Sequence, residues 1–149
     1  MIEETVQRWH QHLVGELDGG LDTLLHDDVV FFSPIVFTPQ KGRDLATAYL
    51  SAAGQTFGGD EPEAGEDNDQ DNDGTGGFRY IKQVLSGNEA VLEFETTMGG
   101  LYVNGVDIIT CDDEGKIIEF KVMIRPLQAV NAVHALMAAM LEKMAAAEG

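Results

Sequence analysis

The chain has one cysteine, Cys111, in 149 residues, so no internal disulfide can form and small disulfide-stapled folds are excluded. Positive charge is scarce too. Nine Lys and Arg stand against 26 Asp and Glu, for a net charge of −17. Binding nucleic acid or an anionic membrane surface requires clustered cations to neutralise phosphates, so neither partner is expected. Long apolar runs are missing. The longest weakly charged stretch, residues 127–141, contains Gln128, Asn131 and His134 and is too short to span a bilayer. Residues 1–10 are polar, without the basic-then-apolar order of a secretory leader, and the expected location is cytoplasmic.

Motifs for cofactors are absent as well. The chain has no P-loop and no GxGxxG, and the glycines between Gly74 and Gly77 lack the Lys and following helix that phosphate binding needs. His10 and His12 are two apart on a helical pattern, so they project about 200° apart and cannot share a metal. His26 and His134 have no partner at ligand spacing. Cys111 sits in a strand pattern, where packing is the expected role. No cofactor is expected.

What remains fits a single domain over residues 1–149, large enough to bury about 68–70% of its unfolded surface. Ile2, Val6, Trp9, Leu13 and Leu17 recur at helical spacing and predict a first helix of about four turns, closed by Gly19-Gly20. Leu21, Leu24 and Leu25 suggest a short second helix. Val29-Val30-Phe31-Phe32 reads as a strand stopped by Ser33-Pro34. A third helix opens near Gly42, with Leu45, Ala48, Tyr49, Ala52 and Phe57 to one side. Residues 58–77 hold eight carboxylates, no cation and nothing aliphatic larger than Ala64, which predicts a flexible acidic insert. Four strands follow: residues 78–85, 89–98, 101–111 and 116–125, joined by Gly- and Asp-rich turns. Ala90, Leu92, Phe94, Thr96 and Met98 alternate onto one face. Beyond Pro126 a C-terminal helix, residues 127–148, carries Leu127, Val130, Val133, Met137, Met140 and Met144 as its stripe. The order predicts an α+β fold, a curved antiparallel sheet wrapped around helices.

Three stretches resemble the nuclear transport factor 2-like superfamily, in its SnoaL-like and ketosteroid isomerase-like branch: VQRWHQHLVGELDGGLDTLLHDDVVFFSP (6–34), VNGVDIITCDDEGKI (103–117) and IEFKVMIRP (118–126). The resemblance covers most of residues 2–126 and leaves out the acidic insert and the last helix. It implies a cone-shaped half-barrel whose pocket opens between helices and sheet. It also implies homodimers paired through the outer sheet face, on which Lys121, Met123 and Arg125 would lie. Ketosteroid isomerase uses a carboxylate base, a Tyr and a protonated Asp. By resemblance the Asp position is Asp107, the Tyr position is Trp9 and the base position is Ser33. Trp offers only an N–H and Ser has no pKa near neutrality, so the steroid isomerase reaction itself is not expected. Limonene epoxide hydrolase resembles this region with an Arg two residues before the Asp; here that residue is Gly105.

The candidate acid or base is therefore Asp107, on a strand face with Val103, Gly105, Ile109 and Cys111. The alternative is a solvated or purely structural Asp. Tyr49, Phe94 and Phe120, with Trp9, are the expected lining of an apolar ligand site, or else simply core. Asp69, Asp71 and Asp73 open a calcium-like loop, but its twelfth position is Tyr80 rather than Glu and no helix pair flanks it, so no specific metal site is expected. The function expected is binding of a small, largely apolar molecule, with isomerase-, dehydratase- or cyclase-like proton transfer through Asp107. The competing expectation is a non-catalytic dimerisation or interaction module of the same fold with a filled pocket.

Overall fold

A computed structural model of the protein describes residues 2–56, 77–98 and 100–148. The acidic insert predicted for residues 58–77, with Phe57, falls almost wholly outside the described residues. Helix α1 runs Ile2–Leu13, α2 Leu21–Leu24, α3 Arg43–Thr56 and α4 Leu127–Glu148. The strands are β1 Leu25–Phe32, β2 Gln40–Lys41, β3 Arg79–Ser86, β4 Glu89–Met98, β5 Leu101–Cys111 and β6 Ile117–Arg125. They form one sheet in the order β2-β1-β6-β5-β4-β3. The meander β3 to β6 is antiparallel throughout, whereas β1 lies parallel to β6, so the sheet is mixed.

Helix α1 is shorter than its apolar spacing predicts. Gly15 adopts φ 76. Its N–H bonds the His12 carbonyl at 3.0 Å and the Glu16 N–H bonds the Gln11 carbonyl at 2.8 Å. This paired closure is a Schellman cap, which only a residue tolerant of positive φ accommodates well, so the helix stops at Gly15 rather than Gly19-Gly20. Thr5 Oγ1 donates to the Gly115 carbonyl at 2.9 Å and the Ile2 N–H to the Gly87 carbonyl at 3.0 Å, fixing α1 across the β3–β4 and β5–β6 turns.

One apolar cluster joins Ile2, Val6 and Trp9 of α1 to Leu24, Phe31, Leu50, Leu92, Phe94, Ile109 and Phe120. The β4 alternation is as the sequence predicts, with Ala90, Leu92, Phe94, Thr96 and Met98 buried. Both helix stripes hold in part. In α3, Ala52 is buried as predicted, but Ala46 and Leu50 are buried with it and Leu45 is exposed. In α4, Val133 and Met137 are buried as predicted, with Ala129 opening the line; Leu127 is 72% exposed.

Candidate functional site

A cavity of about 630 Å³ opens between α1, α3 and the inner sheet face. Its walls are Trp9, Leu50, Ala53, Phe78, Phe94, Phe120 and Val122; Tyr80 and Asp107 supply polar groups, and His10, His12, Leu13, Val14 and Arg79 complete the lining. The aromatic wall is ordered by edge and stacking contacts. Phe78 stacks on Phe94 at 4.9 Å between ring centroids, and Trp9 meets Phe120 edge-on at 4.9 Å. A volume of this size accommodates a small organic molecule.

Asp107 is only 5% exposed and lines this cavity from β5. Tyr80 Oη donates to Asp107 Oδ2 at 2.5 Å. Trp9 Nε1 in turn donates to Tyr80 Oη at 2.9 Å. The indole, phenol and carboxyl thus form a directed relay ending on Oδ2. Asp107 Oδ1 has no hydrogen-bond partner among the described residues. Burial pushes the Asp107 carboxyl up from its ordinary 3.8 to about 7, against the opposing hydrogen bond from Tyr80. Burial and the neighbouring Asp107 also raise the Tyr80 phenol well above its ordinary value, which keeps Tyr80 a donor. A carboxyl poised near neutrality can donate to a ligand oxygen when protonated and accept a proton when ionised.

Sequence reasoning missed Tyr80, which enters there only as the failed twelfth position of a calcium loop. The reason is a β-bulge. The pairings Tyr80 with Phe94 and Lys82 with Glu93 leave Ile81 as an extra residue in β3. Counting by twos back from Leu85, which packs inward, would turn Tyr80 outward; the bulge re-aims it into the cavity.

The other predicted residues divide. Trp9, Phe94, Phe120 and Asp107 come together around the cavity. The Trp9 N–H is committed to Tyr80 rather than facing a ligand. Tyr49 does not line the cavity; its ring packs on Phe31 at 5.5 Å. Ser33 does not line it either. Its Oγ accepts from the backbone N–H groups of Ile35 and Val36 at 3.0 and 3.2 Å, so it closes a turn after β1. Gly105 faces the ring of Phe94: a Cβ there would lie 2.5 Å from Phe94 Cζ and 2.6 Å from the Met123 carbonyl oxygen. An Arg at this position could not be accommodated without displacing the cavity wall. Asp69, Asp71 and Asp73 lie outside the described residues. Among the described residues no group of three or more His, Cys, Asp or Glu could hold a metal, and no helix is long and apolar enough to cross a membrane. No residue described in α4 lines the cavity.

An α+β cone with a buried carboxyl at the inner end of an apolar cavity defines the class. No family model and no curated protein matches the chain. Among solved structures it is similar to a steroid delta-isomerase from Pseudomonas aeruginosa, at 30% identity and a TM-score of 0.79, over 97% of this chain and 94% of that one. It is also similar to a bacterial protein with a cystatin-like fold from Silicibacter pomeroyi, at 30% identity and a TM-score of 0.72, over 91% and 83% of the two chains. The epoxide hydrolase/cyclase-like enzyme SalBIII of salinomycin pyran-ring formation shares the fold at 14% identity and a TM-score of 0.58, over 85% and 92%. The chain belongs to the nuclear transport factor 2-like superfamily.

Proposed function

We propose that the protein binds a small, largely apolar molecule bearing one hydrogen-bond acceptor, and transfers a proton on it in an isomerase-, dehydratase- or cyclase-like reaction with Asp107 as acid or base. The observation that carries this reading is the Asp107 carboxyl, buried at an apolar cavity with Oδ2 held by Tyr80 and Oδ1 left without a protein partner. Asp107 thus presents one oxygen to the cavity with no bond from the described residues, and a ligand oxygen could bond there. A cavity of about 630 Å³ speaks against a filled interaction module. The steroid delta-isomerase neighbour supports proton transfer at carbon as the reaction class. Its steroid is not carried over, because Ser33 closes a turn and supplies no base. No cofactor is required by this chemistry.

The protein acts as a homodimer in this reading. The outer sheet face leaves Ile81, Val84, Val91, Tyr102 and Met123 exposed, apolar groups that a partner subunit would cover. Light scattering after size exclusion should give the dimer mass; a monomer mass at micromolar concentration would refute it.

The binding reading is tested with 2-naphthol, whose hydroxyl can accept from a protonated carboxyl or donate to an ionised one. Its fluorescence should report binding at pH 6, with an affinity that changes as pH rises through about 7 while Asp107 ionises. Asp107→Leu keeps the volume and should lose about tenfold in affinity, the worth of one hydrogen bond. Equal binding by wild type and Asp107→Leu at every pH would contradict the reading.

A further inference from the structure

Proton transfer at carbon needs two groups, one to hold the developing oxyanion and one to take the proton, and the carboxyl at the base position of the steroid isomerases is Ser33 here, outside the cavity. Among the described residues the ionisable side chains that line the cavity are His10, His12, Arg79, Tyr80 and Asp107. Four of them are already committed. Tyr80 donates to Asp107. His10 Nε2 is bonded to Gln83 Oε1 at 2.9 Å. Arg79 Nε donates to Glu95 Oε2 at 2.9 Å, and a guanidinium stays protonated in any case. Asp107 sits at the buried end of the relay. His12 alone is uncommitted: no described residue hydrogen-bonds or ion-pairs with its imidazole, while its ring is held in place by stacking on Trp9 at 5.3 Å.

We propose that His12 is the catalytic base of this cavity, with Asp107 as the facing acid. The inference rests on the function proposed above and adds to it the second half of the proton-transfer pair. On a bound ketone with a double bond one carbon further along, a His12 ring nitrogen takes the proton from the carbon between the carbonyl and the double bond. The electron pair of that C–H bond forms a new C=C bond and the carbonyl π pair moves onto oxygen, which is stabilised by the Asp107 carboxyl proton. The His12 proton then goes to the far carbon of the dienolate as the double bond shifts and the carbonyl re-forms. The step is neutral overall and needs no oxidant or further reactant.

Local structure supports the assignment. The Schellman cap at Gly15 accepts on the His12 carbonyl, so the backbone that carries the ring is fixed at the helix end. The half-buried imidazole is held below its ordinary 6.5 by desolvation, so it is a free base at neutral pH. The titratable groups that share its cavity among the described residues are the His10 imidazole on α1, Arg79 and Tyr80 on β3 and Asp107 on β5; α3 and β6 contribute only apolar side chains to the cavity. A protonated Asp107 together with a neutral His12 is populated between the two pKa values, which predicts a bell-shaped rate profile peaking between the His12 value and about 7.

The test uses 5-nitrobenzisoxazole, in which loss of the C3 proton to a base breaks the N–O bond and releases a coloured cyanonitrophenolate. Wild type should accelerate this elimination with a bell-shaped kcat/KM against pH. His12→Gln should lose about 10²-fold and the rising limb, while 2-naphthol binding stays at the wild-type level. Asp107→Asn should keep the rising limb and lose the falling one. An unchanged rate in His12→Gln overturns the inference, and so does a loss of rate that only tracks a loss of naphthol binding, which would make His12 structural. A wild type that binds naphthol but reacts no faster than free imidazole overturns the base and leaves the binding reading standing. Failure of both assays overturns both. Independently of any variant, the imidazole carbon signals of His12 should shift on 2-naphthol addition in wild type; their constancy would place His12 away from the ligand and overturn the proposal.

Discussion

Asn104 and Asp107 are three residues apart on β5, both buried, and on opposite faces of the sheet. Asn104 Nδ2 donates to the Phe94 carbonyl at 2.9 Å and to Glu93 Oε2 at 3.1 Å, and Oδ1 accepts from Arg125 Nε at 2.8 Å. Its two polar atoms are satisfied across three strands, and the network ties β4, β5 and β6 together. Among the described residues Asp107 has one hydrogen-bond partner, Tyr80, and its other oxygen is open to the cavity. A buried polar group with every bond made serves the fold. A largely buried carboxyl with a perturbed pKa and one oxygen facing a cavity marks a site of chemistry.

The contrast should show first in stability against pH. Asp107 keeps its proton to about 7 when folded, while the unfolded chain releases it near 3.8. Between those values the native state binds more protons, so stability falls as pH rises, and the loss is complete above about 7. The full difference corresponds to at most about 4 kcal/mol. Asp107→Asn should therefore stabilise the protein by up to that amount at pH 8 and leave it nearly unchanged at pH 4, as urea unfolding would measure. A loss of stability at pH 8 would remove the distinction between the two residues. Asn104→Leu should do the reverse and destabilise at all pH values by about 1–3 kcal/mol, because the Phe94 carbonyl and Arg125 lose their partner.

Between the two lies Gly105. Gly105→Ala pushes a methyl against Phe94 and the Met123 carbonyl, and should cost about 1–3 kcal/mol while narrowing or reshaping the cavity wall. The smallest effect is expected from Tyr80→Phe. Its hydroxyl holds the Asp107 pKa down, so removing it should move the Asp107 midpoint upward, and the pH at which naphthol affinity changes should move up with it. A downward move would mean that Tyr80 does not donate to Asp107.

The sheet and the place of Asp107 were legible in the sequence because both rest on alternation by two. The β4 stripe from Ala90 to Met98 and the inward set Val103, Asp107, Ile109 and Cys111 follow it without interruption. Tyr80 was not legible, since a single extra residue at Ile81 reverses the alternation and nothing in the amino acids there announces a bulge. Ser33 stood in a family position yet folds back on its own backbone, a local bond that Ser makes readily after a strand. The stripes of α3 and α4 were legible at Ala52, Val133 and Met137 but not at their first turns, where Ala46 and Ala129 are buried and Leu45 and Leu127 are exposed. In the sequence His12 reads only as half of an impossible metal pair with His10; which rings enter a common cavity depends on where α1 ends and how it crosses the sheet.

The chemistry proposed for the cavity turns on the protonation of one carboxyl. A carbon-13 titration of the Asp107 carboxyl by NMR, in the full chain without ligand, measures it directly. The predicted midpoint is about 7. A midpoint near 4, the value of a solvated aspartate, would place Asp107 in water and contradict the acid at the end of an apolar cavity.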